Sequence, residues 1–306
     1  MYRKSRYLLD EFLFDLNCGH NIVGTIFVEC GAMYRADGPA ELASVGETEF
    51  ANGVAAMSAS GLYGTTQVCV GIVGHADLRL GDDVEGVLCA HMSAAGSRLR
   101  GVRQVCSHDP DPDVLGPLSK RVAAGLYGDA DFRRGFAALE RLSLSFDALF
   151  LEPQMDDVLQ LAKAFPGTNI IANHVGIPLG VASYRGTREN RFPTWRQGIR
   201  RLAECPNVYM KLGGLGMPFA GFPWSYANRP VDSAEIAAAW RPYIEACVEA
   251  FGPSRCMFES NFPIDSFSCE YKTVWDAYKI VSKQYSPKDV SRLFSETAKA
   301  VYKMQI

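Results

Sequence analysis

The sequence has no apolar run long enough to cross a bilayer. The longest, such as Ile22 to Val28 and Ala148 to Leu151, fall far short of the roughly 20 residues a spanning helix needs. It also has no cysteine pattern. Nine cysteines (Cys18, Cys30, Cys69, Cys89, Cys106, Cys205, Cys247, Cys256 and Cys269) are odd in number, scattered and never spaced Cys-x-x-Cys. That excludes a disulfide framework and a zinc knuckle, and leaves reduced thiols as the expectation. Near the start, Asp10, Glu11 and Asp15 interrupt the apolar residues where a secretory leader needs an unbroken stretch, so a cytoplasmic location is expected. Charge of one sign is missing too. A net charge of -3 supplies no basic field for nucleic acid or anionic lipid, so neither nucleic acid nor membrane is an expected partner, and a small-molecule substrate is.

Several catalytic signatures are absent as well. There is no Gly-x-Ser-x-Gly elbow, no phosphate loop ending in Gly-Lys-Ser/Thr and no His-Glu-x-x-His pair. The run "GGLGMP" from Gly213 lacks the strand, glycine spacing and following helix of a dinucleotide turn, which excludes a nicotinamide enzyme.

What is present is a repeating alternation. Seven short apolar segments read as strands: "IVGTIFVEC" from Ile22, "QVCVGIVG" from Gln67, "LRGVRQVC" from Leu99, "ALFLEP" from Ala148, "NIIANHVG" from Asn169, "NVYMKLGG" from Asn207 and "CMFESNFP" from Cys256. Helix-period segments separate them, at residues 47–60, 82–95, 129–142, 155–165, 194–203, 233–251 and 271–283, with a closing helix over 287–303 and an opening one over 7–16. Strand and helix in alternation describe βα units around a parallel sheet, and 306 residues at 48% hydrophobic and 21% charged suit one packed α/β barrel. The expectation is a single domain over 1–306. Seven strands do not close an eight-stranded (β/α)8 TIM barrel, so the first strand is expected to be missing, with its place before Tyr7.

In such a barrel the polar residues at the C-terminal ends of strands form the active-site floor. His174 follows "NIIAN" and precedes Val175-Gly176-Ile177-Pro178, where an imidazole emerges as the strand stops, able to bind metal, polarise a carbonyl or carry a proton. "CMFESNFPID" gathers Glu259, Ser260, Asn261 and Asp265 at the end of the last strand, and either carboxylate could act as general base on water. Asp265 can equally be a turn or cap residue after Pro263. Arg103, late in "GVRQ", is costly to bury without an anion, either a substrate carboxylate or an internal Asp or Glu, and the substrate is slightly favoured. Gln154 and Glu152 in "FLEPQ", Glu29 in "FVEC" and Lys211 in "YMKLGG" complete the inward-facing polar set, with Gln154, Glu29 and Lys211 as substrate-binding candidates. His91 falls mid-helix on an expected surface, and His75 and His108 begin loops. Trp224, Tyr226 and Phe219 share one loop that can line a pocket or an interface, which leaves a homo-oligomer open.

These blocks resemble the amidohydrolase-2 family, and within it the branch of 2-pyrone-4,6-dicarboxylate and sugar lactonases. The resemblance rests on "GVRQ" at Gly101, "QMDDVLQLAKAFPGTNIIANHVGIP" from Gln154, "NVYMKLGGLG" from Asn207, "CMFESNFPID" and the closing "LFSETAKAVYKM" from Leu293, in that order over nearly the whole chain. It implies a metal-assisted barrel with a His-x-His pair on the first strand, a later histidine matching His174 and a last-strand aspartate that deprotonates water. Here no His-x-His occurs, and the aspartate position holds Asn261, whose amide cannot accept the proton. Of the metal set only His174 remains, so no tightly bound catalytic metal is expected; a zinc site would need a His-x-His segment upstream. The function implied is a hydrolase opening a lactone or similar cyclic ester, including one bearing a carboxylate. His174 would polarise the carbonyl, Arg103 would hold an anionic group, Asp265 or Glu259 would activate water and Asn261 would orient it. Its alternatives are a non-oxidative decarboxylase on the same barrel, or a truncated barrel without catalysis.

Overall fold

The computed structural model describes residues 6–120, 122–224 and 231–306; Tyr226 lies outside them. Within these residues seven strands form one sheet: β1 (Gly24–Val28), β2 (Gln67–Gly74), β3 (Leu99–Val105), β4 (Ser145–Leu149), β5 (Ile170–Ala172), β6 (Val208–Leu212) and β7 (Cys256–Phe258). Each pairs in parallel with the next in chain order, so the sheet curls into an open barrel whose edges are β1 and β7. The helices are α1 (Leu9–Leu16), α2 (Val45–Ala59), α3 (Val84–Ala95), α4 (Pro112–Leu115), α5 (Ala130–Arg141), α6 (Met155–Ala164), α7 (Arg188–Ala203), α8 (Ser233–Phe251), α9 (Tyr271–Ser282), α10 (Pro287–Ser291) and α11 (Thr297–Val301).

Strand periodicity separates two environments. Ile72, Val102, Phe146, Ala148, Ile170, Ala172, Val208, Met210, Leu212, Cys256 and Phe258 are buried in the cluster that the outer helices cover. The alternate residues form a second layer: Val73, Ile171 and Met257 pack with Ile26, Val28 and Tyr209 and with Ala298, Val301, Tyr302 and Met304 from the end of the chain. The C-terminal segment therefore plugs the concave side of the sheet. Above this apolar plug the same alternation brings up Arg103, Asp147 and Lys211, with Arg103 paired in register to Asp147.

Local chemistry sets several helix starts. Asp129 accepts a hydrogen bond from the Phe132 N–H at the start of α5, and Ser286 does the same for Asp289 at the start of α10, with Pro287 in the first turn where no donor is needed. Helix α7 starts at Arg188, six residues before the expected 194, and carries Pro193 inside it. Packing explains the outcome: Phe192 and Trp195 meet Tyr243 of α8 with ring centroids 5.2 and 4.8 Å away, and burial of three aromatic rings outweighs the proline penalty. The closing helix is broken by a π turn over residues 292–296, which seats Phe294 against Phe258. His91, expected on the surface, is 0% exposed, because α3 packs it against Ser44 and Thr48. No described helix is long and apolar enough to cross a membrane.

Candidate functional site

At the C-terminal ends of the strands the backbone leaves ordinary conformations. His174, Val175 and Ile177 have φ of 56°, 49° and 35°, and Asn261 after β7 has φ of 50°. Left-handed backbone costs a residue with a Cβ about 1–2 kcal/mol, more for β-branched side chains. Specific bonds hold it in place. Trp195 donates its indole N–H to the Val175 carbonyl at 3.0 Å, and the Glu152 N–H meets the Ile177 carbonyl at 3.2 Å. Glu259 accepts the His174 backbone N–H at 3.2 Å. Strain of this kind is sustained where a side chain must be aimed.

The aim is visible in the distances. His174 Nδ1 lies 2.5 Å from Glu259 Oε1, a charge-assisted hydrogen bond that joins β5 to β7. The imidazole's Nε2 has no hydrogen-bond partner among the described residues. Glycines pack the pair from below: a Cβ on Gly214, itself at φ 68°, would come 2.5 Å from His174 Cγ and Nδ1, and one on Gly213 would strike the Glu259 side chain. The run "KLGG" thus supplies Lys211 and the two close approaches together. Burial alone would push the Glu259 carboxyl up, but His174, Lys211 and Arg103 beside it hold it below the usual carboxylate range. It is ionised at neutral pH.

From Glu259 a chain of alternating charge crosses the mouth. Lys211 Nζ lies 3.8 Å from Glu259 Oε2 and 2.6 Å from Asp147 Oδ1. Asn173 donates to Asp147 Oδ1 at 3.0 Å and, at 3.5 Å, accepts from the Arg103 guanidinium. Arg103 in turn donates to Glu29 Oε1 at 2.7 Å and to the Glu29 carbonyl at 2.5 Å. Burial opposes the charge on Arg103, but Glu29, Asp147 and Glu259 more than offset it and raise its pKa.

Glu29, Arg103, His174, Lys211, Glu259 and Asn261 all line one cavity of about 1340 Å³, which runs along the open edges between β1 and β7. Six of the eight residues given catalytic or substrate-binding roles from the sequence therefore meet. Two do not. Gln154 accepts the N–H groups of His108 and Leu151 and donates to the Cys106 carbonyl, so its amide is consumed in fastening two loops and does not face the cavity. Asp265 is 0% exposed, outside the cavity lining, and accepts from Asn261 Nδ2 at 2.7 Å. Burial raises its pKa well above its ordinary value despite that bond, which weighs against it as the base. The role left open for Arg103 falls to the internal carboxylate of Glu29. Glu152 is likewise structural, gripping the Leu179 N–H and Arg191.

Asp147, Asn173 and Tyr302 belong to the same network but escape a reading from the sequence. Asp147 lies inside an apolar strand, and its partners Lys211 and Tyr302 are 64 and 155 residues away. Phe219 packs in the loop cluster with Ile177 and Met217, and Trp224 stacks on Phe222 at 5.1 Å, so both face the protein interior.

The comparisons agree with this architecture. A y4mH protein of unassigned role from Sinorhizobium fredii is 32% identical over 298 residues, 97% of this chain and 86% of the relative. An L-fucono-1,5-lactonase from Burkholderia multivorans is 29% identical over 203 residues, and the match spans 60% of that lactonase's length. A crystal structure of an amidohydrolase from Burkholderia multivorans with bound zinc superposes with a TM-score of 0.66 at 26% identity, covering 85% of this chain and 79% of that one. The donor set here does not suit such an ion. No group of three His, Cys, Asp or Glu side chains among the described residues could hold a metal, and Arg103 and Lys211 already occupy the spaces between the carboxylates. A family model described as amidohydrolase matches residues 24–304, and the chain belongs to the amidohydrolase family.

Proposed function

We propose that this amidohydrolase opens an uncharged, hydroxylated lactone by attack of water, with His174 as general base. The observation that carries this reading is the 2.5 Å bond between His174 Nδ1 and Glu259 at the head of the cavity. With Glu259 ionised and accepting from Nδ1–H, Nε2 keeps its lone pair and can take a proton from water. Water oxygen then bonds to the lactone carbonyl carbon, and the carbonyl π electrons move to its oxygen. The Lys211 ammonium, which spends one N–H on Asp147, would turn another toward that oxyanion. When the oxyanion re-forms the carbonyl, the ring C–O bond breaks, and the imidazolium returns its proton to the leaving alkoxide. The products are a hydroxy acid and the original enzyme. Asn261, held through its amide by Asp265, offers a carbonyl oxygen to orient the attacking water.

Charge selects the substrate class. Arg103 and Lys211, the cations bonded into the network around Glu259, each already face a carboxylate, which disfavours a ring carboxylate beside them. A neutral aldonolactone meets no such obstacle, and the lactonase relatives support the same class. A panel of neutral and carboxylated lactones, followed by acid release in weakly buffered indicator solution, tests it. The expected result is turnover of neutral lactones above the spontaneous rate; no acid release from any of them by well-folded protein would sink the reading.

A further inference from the structure

Tyr302 sits just beyond α11, at the far end of the chain, yet its hydroxyl lies 2.9 Å from both oxygens of Asp147 inside the barrel. Asp147 is fully buried and carries its charge on four contacts: Tyr302 twice, Lys211 and Asn173. A hydroxyl equidistant from both oxygens fixes the plane of the carboxylate, because any rotation lengthens one bond. The plane in turn fixes where Lys211 must stand, 2.6 Å from Oδ1, while the Tyr302 ring lies 5.7 Å beneath the ammonium. That position leaves Nζ 3.8 Å from Glu259, the partner of His174.

We propose that Tyr302 is a positioning residue for the His174–Glu259 pair, acting through Asp147 and Lys211. This rests on the hydrolytic reading of the same site. The floor of the barrel and its mouth are joined by one chain of contacts, Tyr302 to Asp147 to Lys211 to Glu259 to His174, and the C-terminal plug sets its first link. Without the hydroxyl, Asp147 keeps its full charge with fewer donors, draws Lys211 closer, and takes the ammonium away from the developing oxyanion and from Glu259.

The test is Tyr302→Phe, which keeps the ring and its packing and removes one oxygen. It is compared with Lys211→Met and with the double variant. The expected result is a fall in kcat of about tenfold, the size of one charge-assisted hydrogen bond, with KM within about twofold. The double variant should be no slower than Lys211→Met alone, since both act at one point. Unchanged kcat in Tyr302→Phe, or losses that multiply in the double variant, would overturn the proposal. A readout independent of turnover separates it from the hydrolytic reading. In the unaltered protein a protected Lys211 Nζ–H signal should appear in 1H–15N spectra, show a cross-peak to the Tyr302 ring and vanish in Lys211→Met. Its absence sinks the positioning role even if lactones are hydrolysed, and its presence stands even if none is. The same spectrum decides the matter should Tyr302→Phe fail to fold.

Discussion

Two buried histidines in this protein have opposite fates. His174 ends β5 on a left-handed backbone, faces a cavity and bonds a carboxylate. His91 lies in the middle of α3, with its ring nitrogens 2.8 and 3.2 Å from the hydroxyls of Thr48 and Ser44. Both are almost completely withdrawn from solvent, so burial does not distinguish them. Their partners do. A carboxylate fixes the tautomer of His174, whereas hydroxyls satisfy His91 without offering it charge, and burial pushes the His91 pKa down to about 4. His91 also fills the space that Gly74 leaves, since a Cβ there would come 3.1 Å from the ring. One imidazole is aimed; the other is packing material with two polar atoms.

The largest effect expected from this contrast comes from exchanging each imidazole for an amide. His174→Asn should lower kcat/KM on the best lactone by about 10²- to 10⁴-fold, the usual worth of a positioned base, with little change in melting temperature. His91→Gln should do the reverse, leaving kcat/KM within a few fold and costing about 1–3 kcal/mol in a denaturant melt, because buried hydroxyls lose a fitted partner. Unaltered kinetics in His174→Asn would remove that residue from the mechanism.

Gly214→Ala makes the contrast finer. The added methyl group has to displace the His174 ring, and it forces a residue with a Cβ into φ 68°. A stability loss of about 1–2 kcal/mol is expected from the backbone alone. If the ring's aim matters, kcat should fall by more than that destabilisation explains, at temperatures where the variant is fully folded. The matching change beside the other histidine, Gly74→Ala, should cost stability only.

The same comparison predicts a pH dependence of folding. His91 has a folded pKa near 4 against 6.5 for the free side chain. Above about pH 6.5 both states are neutral there and its contribution to stability is whole. As pH falls toward 4 the unfolded chain binds a proton that the folded one refuses, so stability drops, by at most about 3 kcal/mol. Urea melts between pH 4 and pH 7 should show that slope, and His91→Gln should flatten it. An equal slope in the variant would assign the acid sensitivity to other groups.

How far the sequence foretells this site depends on the range of the interactions. Strand ends announced by a polar residue after an apolar run were legible, which is why His174, Glu259 and Arg103 stand out. The parallel order of seven strands was legible from the alternation of apolar runs and helix-period segments. Asp147 was not. It lies in "SFDALF", where a strand reading begins at Ala148 and passes over the acid, and only Lys211 and Tyr302 from distant segments make its burial tolerable. Gln154 and His91 show the converse error. Side chains that look free on their own element are taken up by loops or helices that packing brings against them.

The smallest effect separates the two acids beside Asn261. Glu259 and Asp265 are both buried, but the cations around Glu259 hold its carboxyl below its ordinary value, while burial pushes the Asp265 carboxyl well above its own, against the Asn261 amide and the backbone at Gly214 and Gly216, which pull the other way. A protonated carboxyl and a carboxamide have nearly the same shape and neither carries charge. Asp265→Asn should therefore keep kcat within about threefold at neutral pH and cost about 1 kcal/mol of stability or less, because it changes one buried hydrogen-bonding atom and no charge. Glu259→Gln removes the carboxylate that fixes the imidazole and should be far slower. Were Asp265→Asn the slower of the two, the proton would leave water through the buried acid, and the pairing of His174 with Glu259 would be structural.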